Sequence, residues 1–70
     1  MEVRAMNIKQ LREQHGMTQD ELAKKVGVKP PAVSKWERGL AYPNMGHVAS
    51  LAEIFGVTMD VVMGIKSVKA

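Results

Sequence analysis

"MTQDELAKKVGVKPPAVSKWERG", residues 17–39, holds two short helical patterns with a glycine between them. The first opens on Thr18-Gln19-Asp20-Glu21. A threonine cap accepts from the amide three residues on, and a glutamate there returns the bond to the cap's own amide. Met17 stands where a residue can pack back onto the helix it precedes. Leu22, Ala23 and Val26 then form one apolar stripe, so a helix is expected over about Thr18 to Val26. Gly27 suits the left-handed residue that ends it. The second pattern runs over about Pro30 to Arg38, with Val33 and Trp36 at i, i+3. Two prolines at its start are tolerated, because amides of a first helical turn have no intrahelical acceptor to lose. Lys29 falls at the cap and is a poor residue for it. The prolines therefore start this helix rigidly instead of breaking it.

Working outward, similar punctuation recurs. Gly16, Gly39, Gly56 and Gly64 also follow helix-like segments. A first helix is expected over about Asn7 to His15, with Ile8 and Leu11 inward and Lys9, Gln10, Glu13 and Gln14 outward. Asn44 caps a fourth, reaching about Phe55, whose inner face is Met45, Val48, Leu51, Ala52 and Phe55. Thr58 caps a short fifth helix to about Met63, with Met59 and Val62 inward and Val61 a further candidate. No alternating strand pattern exceeds four residues. Helices this short stabilise one another only by packing. The expectation is one all-α domain, ordered over about 6–65, with frayed ends at 1–5 and 66–70.

Composition narrows the function. Seventy residues, 46% of them hydrophobic, support one small core. Cysteine is absent, which excludes disulfide and thiolate chemistry and suits a reducing cytoplasm. The sequence shows neither a signal-peptide pattern nor an apolar run near the roughly 20 residues that span a bilayer. The net charge is +3. Eight of the ten Lys and Arg lie in residues 1–43, whereas Asn44 to Ile65 is almost uncharged. The first part reads as the face toward a charged partner and the second as core, with subunit contact a further option. No Gly-rich phosphate loop, nucleophile with a matching His and acid, or metal-ligand cluster occurs, so an enzyme, a cofactor and a small-molecule substrate are not expected. His15 and His47 are isolated and receive neither a metal nor a catalytic role. The six methionines read as gap-filling core.

The turn Gly27-Val28-Lys29 has the length and the glycine of a helix-turn-helix. Ala23 is small enough for the second helix to cross close to the first, and Val28 plugs the core beneath the turn. Val33 and Trp36, the only tryptophan, hold the second helix by one face. That leaves Lys29, Pro30, Pro31, Ser34, Lys35 and Arg38 on the other. Two lysines and an arginine on an exposed face suit an electronegative groove.

"LREQHGMTQDELAKKVGVKPPAVSKWERG" resembles the Cro and phage-repressor type of helix-turn-helix family, often called Xre-like. The resemblance continues through "YPNMGHVASLAEIFGVTMDVVMG" and covers about residues 7–64 without a gap. It implies a compact five-helix, lambda-repressor-like domain that binds double-stranded DNA. Gln19 matches the family glutamine that binds a DNA phosphate at a helix N-terminus. Arg12 and Glu37 match an ion pair tying the first helix to the third, and Arg12 is also a phosphate candidate. Arg38 matches a backbone-contacting position. Tyr42 and Asn44 complete the phosphate candidates, although the loop Leu40 to Pro43 lacks the Lys or Arg that relatives often carry. Lys29, Pro30, Pro31, Ser34 and Lys35 occupy base-reading positions. The prolines depart from the hydrogen-bonding side chains common there and offer a thymine methyl only apolar contact.

The leading expectation is a sequence-specific transcriptional regulator, most simply a repressor. It would bind a palindromic operator as a homodimer, with half-sites about one helical turn apart. Ile54, Met59, Val62, Met63 and Ile65 are the candidate dimer contacts, with closure of the core as the rival role for each. A regulator of this kind is cytoplasmic, bacterial or phage-encoded, and nucleoid-associated when bound. The alternative is a protein-interaction module or antitoxin-like protein on the same fold, contacting a protein partner through Leu40, Ala41, Tyr42 and the apolar carboxyl end.

Overall fold

The computed structural model describes residues 6–68. Five helices succeed one another, α1 Ile8–Gln14, α2 Gln19–Val26, α3 Pro30–Glu37, α4 Met45–Phe55 and α5 Met59–Val62, and the described residues contain no strand. The longest has 11 residues, short of the ~12–15 at which an isolated helix becomes even marginal in water. Their stability is therefore collective. Ile8 and Leu11 from α1, Leu22 and Ala23 from α2, and Val33 and Trp36 from α3 meet Val48, Leu51, Ala52 and Phe55 of α4 and Val61 and Val62 of α5 in one buried cluster. All five glycines expected to end helices have positive φ. At Gly27, φ is +89°, and its N–H and that of Val28 both donate to the Ala23 carbonyl, at 2.9 and 3.0 Å. A side chain at residue 27 would be strained there.

Helix starts are chemically distinct. The Thr18 hydroxyl accepts from the Glu21 amide at 3.0 Å, and the Thr18 amide donates to Glu21 Oε1 at 2.8 Å, closing the capping box of α2. Asn44 Oδ1 accepts from the His47 amide at 2.8 Å, and the Thr58 hydroxyl accepts from Val61. Lys29, at the start of α3, makes no side-chain cap bond. Met17 lies half-buried against the core just before α2.

Thr18→Ala is expected to cost about 1 kcal/mol and to lower the melting temperature by roughly 4–8 °C. The Thr18 backbone amide, and then its hydroxyl, hold the Glu21 carboxyl below its ordinary value of 4.5. A depressed carboxyl contributes stability above its unfolded pKa that is lost as pH falls through the folded one. Glu21→Gln should thus separate from the parent in melting temperature at pH 7 and converge on it well below pH 4.5.

Several expectations require correction. Met45, placed on the inner face of α4, is 60% exposed; it is the first helical residue, and the adjacent Pro43 is buried instead. Residues 66–68 are tied down, not frayed. Asn7 Nδ2 donates to the carbonyls of Val61 at 2.8 Å and Lys66 at 3.2 Å, and its amide donates to the Val62 carbonyl at 3.1 Å. Val68 packs against the core. The rest of the fraying expectation, residues 1–5 and 69–70, lies outside the described residues. Asn7 thus joins the start of α1 to the segment after α5. Val62 is fully buried, which removes it from the candidate dimer contacts. Ile54, Met59 and Met63 are half-buried against the core, whereas Ile65 is largely exposed.

Candidate nucleic-acid interface

The side chain at the centre of the α1–α2–α3 junction is Glu37, the last residue of α3. Its Oε2 accepts from Arg12 Nε at 2.6 Å, and its Oε1 accepts from Arg12 Nη2 at 3.2 Å. The two side chains are only 12% and 3% exposed, so this is a desolvated, two-point ion pair of the geometry that guanidinium and carboxylate match best. Arg12 Nη1 also donates to the Met17 carbonyl at 2.7 Å, holding the α1–α2 loop. The bond to Glu37 raises the Arg12 pKa against the opposing effect of burial, and the Glu37 and Glu13 charges add to the rise.

Glu37 has a third partner. Gln19 Nε2 donates to its Oε1 at 2.9 Å. A carboxylate only accepts, so the amide orientation of Gln19 is fixed: one N–H of Nε2 is taken by Glu37 and the other is a further donor. Gln19 is the first residue of α2, where the leading amides have no intrahelical acceptor. Backbone N–H groups, the helix dipole and an oriented side-chain N–H thus coincide at one helix start, which favours an anion.

On α3, Val33 and Trp36 are buried. The His47 ring packs tilted, at 44°, against the indole with a centroid distance of 5.5 Å. Lys29, Pro30, Pro31, Lys35 and Arg38 are exposed and Ser34 is half-buried. Arg38 lies one residue beyond the helix, and its Nε reaches the Ser34 carbonyl only at 3.4 Å, a weak bond that leaves the guanidinium available. Tyr42 is exposed in the following loop. Asn44 spends its Oδ1 as the cap of α4, which leaves its Nδ2 as a donor.

The structure therefore joins Arg12, Gln19 and Glu37 into one network and sets the candidate base readers on the unburied face of α3. The bond from Gln19 to Glu37 is the feature the sequence did not reveal. Its nearest signal was the Arg12–Glu37 pairing, which already placed Glu37 beside the α1–α2 loop. His15, the other isolated histidine, packs its ring on Phe55 at 5.1 Å and bonds the Leu11 carbonyl through Nδ1 at 2.9 Å. Among the described residues, no group of three His, Cys, Asp or Glu side chains is placed to hold a metal ion.

Residues 8–62 match the helix-turn-helix family model. The chain belongs to this family, in its Cro and phage-repressor (Xre-like) branch. The family comprises DNA-binding transcription regulators and is not an enzyme family. The HTH-type transcriptional activator BcrR of Enterococcus faecalis is 42% identical over 53 residues, which are 76% of this chain and 26% of BcrR. Multiprotein-bridging factor 1 of Candida albicans is 40% identical over 52 residues, 74% of this chain and 34% of that protein. The chain thus spans about a quarter to a third of these two relatives. Among solved structures, the P22 c2 repressor in complex with a synthetic operator superposes with a TM-score of 0.80 at 27% identity, covering 90% of this chain and 96% of the repressor. The all-α helix-turn-helix protein thus has the lambda/434-repressor fold.

Proposed function

We propose that the protein is a sequence-specific repressor that lays α3 in the DNA major groove and binds a palindromic operator as a homodimer. The observation that carries this reading is the division of α3. Val33 and Trp36 are buried on one side, while Lys29, Lys35 and Arg38 stand exposed. Gln19, held by Glu37, and Arg12 then act on phosphate together with Arg38, Tyr42 and Asn44, and Lys29, Pro30, Pro31, Ser34 and Lys35 meet the base edges. The likeness to the P22 c2 repressor supports the assignment. Repression needs only occupancy of an operator, which this surface supplies by itself. A unit of 28 × 26 × 21 Å lets two copies sit side by side on half-sites roughly 34 Å apart. Ile65, which is exposed, and the half-buried Ile54, Met59 and Met63 supply the dimer contact, and the protein acts in the cytoplasm.

The test is selection of bound fragments from random duplexes, followed by footprinting. The expected product is a palindrome with half-site centres ~10 bp apart, bound at least 10³-fold more tightly than random DNA, the lower end of roughly 10³–10⁷ for specific binders. No enrichment even at low salt would overturn the reading.

One observation favours a second reading. Leu40, Tyr42 and Met45 are 65%, 55% and 60% exposed in and beside one uncharged loop, and the chain is similar to a protein named for bridging other proteins. A protein-interaction module or antitoxin-like protein would use that loop. In a mobility-shift titration with competitor DNA it would show no operator preference.

A further inference from the structure

The N-terminus of α3 has no free amide in its first three positions. Pro30 and Pro31 occupy the first two helical positions and have no N–H, and the Ala32 amide donates to the Lys29 carbonyl at 2.9 Å. The Lys29 side chain makes no cap bond. In α2 and α4 the third amide is likewise taken, by the Thr18 hydroxyl and by Asn44 Oδ1, but the first two positions are non-proline residues that keep an N–H with no intrahelical acceptor. Such starts can hold phosphate or bond a base edge. The start of α3 can do neither through its backbone. It presents two adjacent, exposed pyrrolidine rings.

In the major groove the apolar group available to such rings is a C5-methyl, which thymine carries and cytosine lacks. The rings make no hydrogen bond, so they cannot distinguish the O4 acceptor of thymine from the N4 donor of a cytosine that has itself been methylated at C5. We propose that Pro30 and Pro31 read 5-methylpyrimidines, taking the methyl of thymine and of 5-methylcytosine alike, so that operator binding responds to cytosine C5-methylation. The inference rests on α3 being the groove-facing helix. Covering one methyl is worth about fourfold in affinity, and a symmetric dimer senses two.

In the selected operator, each thymine is replaced singly by uracil, which keeps the base pair and O4 and lacks the methyl. At one position per half-site, binding should weaken about fourfold. With a C·G pair placed there, methylation of that cytosine should strengthen binding by a similar factor over the unmethylated duplex. In a Pro30→Ser, Pro31→Ser variant that retains the parent's helical circular dichroism, the difference between thymine and uracil should vanish. Equal binding of thymine and uracil duplexes at every position, or a full uracil penalty in the double variant, would overturn the proposal. An operator that is selected yet indifferent to the methyl removes only this inference, whereas failure to select any operator removes the groove-facing reading beneath it.

Discussion

Arg12→Met is expected to lower the unfolding free energy by roughly 3–5 kcal/mol. The substitution keeps an unbranched apolar stem and deletes the charge. It leaves the Glu37 carboxylate 97% buried in side-chain area, with the single N–H of Gln19 as its remaining partner. It also frees the Met17 carbonyl from Nη1. For 70 residues, about 0.05–0.15 kcal/mol per residue gives a total stability of roughly 3.5–10.5 kcal/mol, so the loss removes about a third or more of it and the variant should melt well below the parent. Arg12→Met with Glu37→Met should recover most of the deficit, because apolar replacement of both members removes the uncompensated charge. Urea denaturation of the parent, both single variants and the pair forms a double-mutant cycle, in which strong non-additivity is the expected result. A loss below about 1 kcal/mol for Arg12→Met would mark the pair as solvated and would dissolve the proposed tie between α1 and α3. The Arg12 pKa is raised. A raised cationic pKa contributes stability that is present below the unfolded value and lost only above it, so the guanidinium side of the pair should withstand mild alkali.

The architecture was legible because its signals are local. The capping box at Thr18 and Glu21, the caps at Asn44 and Thr58, and the glycines at helix ends each act within four residues, and each is present in the structure. The apolar spacing of Ile8 and Leu11, or of Val33 and Trp36, needs one helical turn to be recognised, and all four residues are buried. What escaped depends on distant parts of the chain. Asn7 meets Lys66 across 59 positions, so nothing near residue 66 announces that it is held. On the sequence Val62 is both an inward residue and a dimer candidate, because α5 is so short that sequence spacing leaves both roles open for its apolar residues. In the structure both Val61 and Val62 are buried, and Asn7 bonds the carbonyls of both.

The candidate interface was legible to a similar depth. Which residues of α3 lie outside follows from Trp36 and Val33 lying inside, since residues three apart share a face. The partner of Gln19 does not follow, because its amide reaches a carboxylate 18 residues away on another helix. In the proposed complex that bond holds the Gln19 amide before DNA arrives, so less side-chain entropy would be lost on binding.

Between 50 and 200 mM salt, operator affinity should fall by roughly 10³-fold. The proposed complex makes about three phosphate contacts per protomer and six per dimer, and each contributes a slope of about 0.9 in log K against log salt. Within this frame, Lys35 and Arg38 separate by role, although both are exposed cations on one helix. Arg38→Ala should weaken binding to all sequences and reduce the slope by about 0.9 per protomer. Lys35→Ala should leave the slope nearly unchanged and relax the preference for guanine at a single base pair per half-site, at a cost of roughly 1–3 kcal/mol in discrimination. Salt titrations of the three proteins on the selected operator, each repeated with the base opposite Lys35 exchanged, measure both quantities. A flat salt response would remove the electrostatic account, and, since a lysine ammonium pairs with guanine O6 and N7, a strong adenine or cytosine preference opposite Lys35 would remove the proposed guanine contact. Equal slope losses in the two variants would mean that Lys35 meets phosphate. The groove would then be read by Lys29, Ser34 and the prolines alone, and specificity would fall mainly to the shape of the operator.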